Sequence, residues 1–118
     1  MGLDSYFMTL EHWAPEEPVG GLVGGMCSGD GSDGSFRGKV YEPIFQLFNE
    51  TLYQELADMS WVRDCAEALE DLYATFFDDP ETQTVTIDDE EYTKEEFQNL
   101  VKLFRLAAEA GCVYHGWW

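Results

Sequence analysis

The sequence predicts an α+β domain, a small antiparallel sheet with two or three helices packed on one face. Three observations carry that reading: aromatic and apolar runs near both chain ends, two long stretches of helical periodicity, and one short alternating segment between them. The 118 residues fit a single domain over 1–118, a size that buries roughly 65% of its unfolded surface. An apolar share of 45% with 15% aromatics is rich enough to build a core.

Gly2 to Thr9 carries Leu3, Tyr6, Phe7 and Met8 and reads as an opening strand. Glu11 to Pro18, with two prolines and three glutamates, reads as loop. Val19 to Cys27 (VGGLVGGMC) has strand character weakened by its four glycines, which suggest bulges or a close backbone approach. Ser28 to Gly38 (SGDGSDGSFRG) is the strongest break in the chain. Pro43 suits the first turn of a helix containing Ile44, Phe45, Leu47 and Phe48. Within Asn49 to Met59, Leu52, Tyr53 and Leu56 allow a second short helix.

Ser60 then offers an N-cap for a helix to about Phe77. At 100° per residue, Val62, Cys65, Leu69, Leu72 and Phe76 share one face, and Asp64, Glu67 and Asp71 lie opposite. Asp79-Pro80 stops it. Thr84 to Asp88 alternates as a half-buried strand does. Thr93-Lys94-Glu95-Glu96 is a capping box, with Glu96 expected to reach back to the Thr93 N–H. The helix it opens buries Phe97, Leu100, Val101, Phe104 and Ala108 and ends with Gly111 at C′. The tail Cys112 to Trp118 reads as a final strand.

Charge restricts function more than any motif does. With 24 acidic and 6 basic side chains the formal net charge is −18, which argues against direct binding of nucleic acid or an anionic membrane. No stretch approaches the ~18 apolar residues of a membrane span, and the start lacks signal-peptide character. Position 6 is Tyr6, so the myristoylation pattern fails. Cys27, Cys65 and Cys112 are odd in number and widely spaced, which suits a reducing compartment and a cytoplasmic location, the host's if the source is viral.

From Asp64 to Glu96 there are 13 acidic residues in 33, with Lys94 the single cation. Acids on one helix face recur every ~5 Å along its axis, a row able to imitate a phosphate backbone. A solvated or salt-adapted surface accounts for the same composition, and metal binding is a minor option.

The first 62 residues hold two cations, Arg37 and Lys39, both directly after the Gly/Ser/Asp run. Glycines let a backbone approach a ligand, and Arg and Lys suit phosphate or carboxylate. Val40 stands where a phosphate loop needs Ser or Thr, and Asp30 and Asp33 miss the EF-hand spacing, so neither motif is present. The plain alternative is a loop whose cations pair with neighbouring carboxylates.

The opening Met1-Gly2-Leu3-Asp4, the segment Ser35-Phe36-Arg37-Gly38-Lys39-Val40-Tyr41, and Thr51-Leu52-Tyr53-Gln54-Glu55 resemble short uncharacterised proteins of phages and of some bacteria and archaea. The resemblance covers about a third of the chain and brings no activity with it. Its setting implies an accessory or anti-defence role.

His12 and His115 lie in no metal or catalytic motif, and the carboxylates are too many to single out an acid–base pair. The sequence therefore predicts a non-enzymatic binding protein without cofactor or metal, and leaves its subunit count open, a homo-oligomer included. Two modes follow. In the first, Ser35, Phe36, Arg37, Gly38, Lys39 and Tyr41, with Trp117 from the tail, hold and sequester a nucleotide-like anion. In the second, Asp64, Glu67, Asp71, Asp88, Asp89, Glu90 and Glu91 imitate DNA and block a basic host protein. The first is favoured because it uses both the loop and the aromatics.

Overall fold

A computed structural model describes residues 3–8, 22–23 and 36–117. The expectations for 9–21 and 24–35, which include most of the Gly-rich loop, fall outside the described residues, as do Ser35 and Trp118. In chain order the elements are β1 (Asp4–Met8), β2 (Phe36–Arg37), α1 (Gly38–Gln46), β3 (Leu56–Ala57), α2 (Met59–Phe76), β4 (Thr84–Ile87), β5 (Glu90–Thr93), α3 (Lys94–Glu109) and β6 (Val113–Trp117). β2, β1, β6 and β3 form a four-stranded antiparallel sheet in that order, and β4 and β5 form a separate hairpin. The α+β architecture is as the sequence predicts.

Alternation along the paired strands sends Leu3, Ser5, Phe7, Phe36, Ala57, Tyr114 and Gly116 to one face. All three helices contribute to the core on that face. Phe104 of α3 meets Phe7 edge-on at 4.9 Å, Phe45 of α1 lies 5.3 Å from Phe104, and Trp61 of α2 lies 5.1 Å from Tyr114. Such aromatic pairs add about 0.5–1.5 kcal/mol each beyond their buried area. The C-terminal strand β6 is interior to the sheet, and its fully buried Tyr114 is framework.

Two glycines are fixed by close approach. A Cβ on Gly38 would stand 2.4 Å from Ser5 Oγ and 2.7 Å from Leu3 Cδ2, and one on Gly116 would stand 2.6 Å from the Gln54 carbonyl oxygen. Buried Ser5 Oγ lies 2.9 Å from Tyr114 Oη, which donates to the Leu52 carbonyl. This small polar knot ties β1 to β6 and to the chain that enters β3.

Several boundaries differ from the sequence reading. α1 begins at Gly38, inside the expected loop, so Pro43 sits in the helix interior rather than its first turn. The early start is anchored by the Arg37 N–H on the Val23 carbonyl (2.7 Å) and the Gly38 N–H on the Leu3 carbonyl (2.8 Å). Asn49 to Met59 forms no second helix; it supplies the edge strand β3. Asp58, not Ser60, caps α2: its Oδ1 accepts from the Trp61 N–H at 3.0 Å and the Ser60 hydroxyl at 2.7 Å. β5 was hidden in the acidic run, where Tyr92 is its one buried residue. Asp88 and Asp89, at φ 52° and 66°, make the two-residue hairpin turn, a left-handed conformation that Asp tolerates better than most residues.

At α3 the Thr93 hydroxyl accepts the Glu96 N–H at 3.0 Å, the first half of the capping box. The Glu96 carboxylate turns to Tyr41, whose hydroxyl it accepts at 2.7 Å. Gly111 ends the region at φ 71°, as a C′ glycine does.

Candidate functional site

The amphipathic spacing of α2 has a direct structural consequence. Val62, Cys65, Ala66 and Leu69 are buried, and that stripe turns Asp64, Glu67 and Asp71 to solvent. All three are exposed, one helical step of about 5 Å apart. The hairpin adds a second group: Asp88, Asp89, Glu90 and Glu91 are exposed at its tip and along β5. The seven acidic residues singled out for partner binding are thus all available to a partner.

One edge of this surface carries compensating charge. A groove of about 240 Å³ between α2 and α3 is lined by Arg63, Glu67, Glu70, Arg105 and Glu109 over a floor of Ala66 and Ala108, and Arg105 pairs with Glu70. Sequence reasoning missed the groove because Arg63 and Arg105 belong to different helices and meet only through packing.

The residues expected to hold a nucleotide-like anion fare differently. Phe36 and Tyr41 are fully buried, so neither ring has a face to stack on a ligand. Phe36 packs against Phe7, Tyr41 and Phe104. Tyr41 accepts the Val23 N–H at 3.0 Å while donating to Glu96, and burial with the neighbouring Glu96 carboxylate holds its phenol far above the ordinary tyrosine range. Gly38 is committed to close packing rather than to a backbone nest.

Arg37 Nε stands 3.4 Å from Asp4 Oδ1, an ion pair without hydrogen-bond geometry. This is the pairing with a neighbouring carboxylate that the plain reading of the loop anticipates. Lys39 and Trp117 are exposed. Arg37 and Trp117 do share the outer sheet face, both paired in register with Asp4. Of the three rings expected to stack on a ligand, Phe36 and Tyr41 are therefore in the core, and Trp117 is exposed on the face it shares with Arg37.

Among the described residues the thiols are enclosed in the core. Cys65 and Cys112 are buried free thiols, both raised by burial and therefore poorly nucleophilic. His115 lies on the outer sheet face with its ring 6.2 Å from Tyr6. Among the described residues no group of three or more His, Cys, Asp or Glu is placed to hold a metal ion, and no helix is long and apolar enough to cross a membrane.

Sequence reasoning also missed Leu56 and Met59, which are largely exposed beside the edge strand. Both are apolar residues within Leu56-Ala57-Asp58-Met59, but a two-residue strand leaves no periodicity to read. No protein-family model, no curated protein and no solved structure matches the chain.

Proposed function

We propose that this chain is a non-enzymatic acidic binding protein that imitates the charge pattern of DNA and occupies a basic, nucleic-acid-binding surface on another protein. One observation carries the reading: the buried stripe of α2 fixes Asp64, Glu67 and Asp71 as an outward row on a rigid helix. The hairpin tip, Asp88 to Glu91, extends the negative surface. Nucleic-acid-binding proteins present lysine and arginine at the spacing of phosphates, and a carboxylate row answers that pattern without a base to read. An anti-defence setting is part of this proposal and rests on the resemblance to short uncharacterised proteins of phages and of some bacteria and archaea. The alternative of a sequestered nucleotide loses Phe36 and Tyr41 to the core and finds Arg37 beside Asp4.

The test is affinity capture from host cells at about 50 mM salt, where the Debye length is longer than in physiological salt. The wild-type chain is expected to retain a nucleic-acid-binding protein that duplex DNA displaces, and Asp64→Asn/Glu67→Gln/Asp71→Asn is expected to lose it. Equal retention by the triple variant overturns the proposal.

A further inference from the structure

We propose that the exposed apolar patch beside β3 docks a protein segment in which lysine or arginine surrounds a large apolar side chain. This deepens the proposed function, on which it rests, by giving the basic partner a second chemical requirement. Leu56 is 63% exposed, Trp117 58% and Met59 57%. The register makes Leu56 and Trp117 neighbours. Leu56 lies directly across from His115 on β6, and Trp117, two residues on, faces the same side. Such a diagonal pair sits about 7–8 Å apart, close enough for one inserted side chain to touch both. Met59 follows Leu56 by three residues, but its sulfur lies 3.6 Å from the position a Cβ on Gly111 would take, at the start of β6 and away from Trp117, so the patch itself is Leu56 with Trp117.

Charge selects the occupant. Glu55 and Asp58 flank Leu56 in the chain and are both exposed, so acidic groups border the patch. A second copy would bring the same carboxylates and another net charge of −18 against them. A cationic segment instead gains at the border while its apolar side chain covers Leu56 and Trp117, the arrangement of a desolvated centre and a polar rim. A surface that worked by charge alone would have no use for an exposed tryptophan at that place.

The experiment uses the whole chain and two synthetic peptides with equal numbers of lysines, one alternating lysine with leucine at helical spacing, the other with serine replacing each leucine. Binding is followed by calorimetry at about 0.3 M salt, where charge pairs on the surface are largely screened. The leucine peptide is expected to bind about tenfold or more tightly than the serine peptide, and Leu56→Ser or Trp117→Ala is expected to bring the two within about threefold. Both side chains are exposed, so these variants keep the fold, which circular dichroism checks.

Equal affinity of the two peptides for the wild-type chain overturns the inference. So does a leucine preference that survives in Leu56→Ser, or a dimer in sedimentation that Leu56→Ser abolishes, which would assign the patch to a second copy. Failure of the parent reading shows separately, as serine-peptide binding at low salt that Asp64→Asn/Glu67→Gln/Asp71→Asn leaves unchanged.

Discussion

Asp4, Glu42, Glu50 and Glu96 are fastened into the structure, whereas Asp64, Glu67 and Asp71 along α2 and the acids at the tip of the β4–β5 hairpin are turned to solvent. Asp4 faces Arg37, and Glu42 accepts the Leu52 N–H at 2.7 Å together with the Thr51 hydroxyl. Glu50 accepts the Trp61 indole N–H at 2.8 Å, and Glu96 takes the Tyr41 hydroxyl. Asp64, Glu67, Asp71 and the Asp88–Glu91 run are exposed. The difference teaches that an acidic count says little by itself. Where irregular backbone or a buried aromatic leaves a donor unsatisfied, a carboxylate becomes part of the fold. Where the backbone is already satisfied within a helix or hairpin, the carboxylate is left for something outside.

The sharpest way to separate the two regions is alkali. Burial is the main reason that Tyr41, Tyr92 and Tyr114 hold their phenol protons far above the ordinary tyrosine value. The folded state therefore retains protons that the unfolded chain releases from about pH 10. The share of stability held by these phenols is complete below that value and falls as pH rises above it, by about 1.4 kcal/mol per unit for each phenol and about 4 kcal/mol per unit for the three. The buried Cys65 and Cys112 thiols add to the loss from about pH 8.5. Urea unfolding from about pH 9 to about pH 11 should show this slope, with phenolate absorbance from these three rings appearing together with unfolding. Ionisation of all three while the far-ultraviolet signal stays native would show that the tyrosine-lined core is not closed.

A smaller effect tests the steric side of the sheet region. Gly116→Ala places a methyl against the Gln54 and Leu52 carbonyl oxygens, at 2.6 and 3.0 Å, both of them backbone atoms that cannot rotate away. Overpacking of this kind costs about 1–3 kcal/mol, and the backbone contact puts this site at the upper end. A denaturation midpoint equal to wild type would mean that the entry into β3 is looser than the packing implies.

What the sequence could and could not show follows the same division. The long elements were legible: the α2 and α3 stripes, the Thr93 cap, the Gly111 stop and the first and last strands, β1 and β6, all follow from local pattern. The acidic row was legible for the same reason, since 3.6-residue periodicity fixes both faces of α2 at once. The places of Phe36, Gly38 and Tyr41 were not legible, because their signal was composition rather than pattern. Phe36, Gly38 and Tyr41 look like binding chemistry in a line of text, yet their places are set by Phe7, Leu3, Ser5 and Glu96, residues distant in the chain. Two-residue strands such as β2 and β3 leave no local trace, and with them the exposed Leu56 beside Trp117 went unseen.

The last prediction sets one fastened carboxylate against one free one. Glu42→Ala removes the acceptor of the Leu52 N–H and the Thr51 hydroxyl; leaving such part-buried donors unpaired costs about 1–3 kcal/mol. Asp71→Asn, on the exposed face of α2, should change stability by no more than about 0.5 kcal/mol, in the direction of a gain because like charges repel along the helix. Chemical denaturation of the two variants measures the contrast directly. If Asp71→Asn proves as costly as Glu42→Ala, the row on α2 belongs to the fold and is not held in reserve for a partner. If the contrast appears, the carboxylates whose loss the fold tolerates are the ones available for a function outside it, and neutralising them should weaken partner binding while leaving the unfolding curve in place.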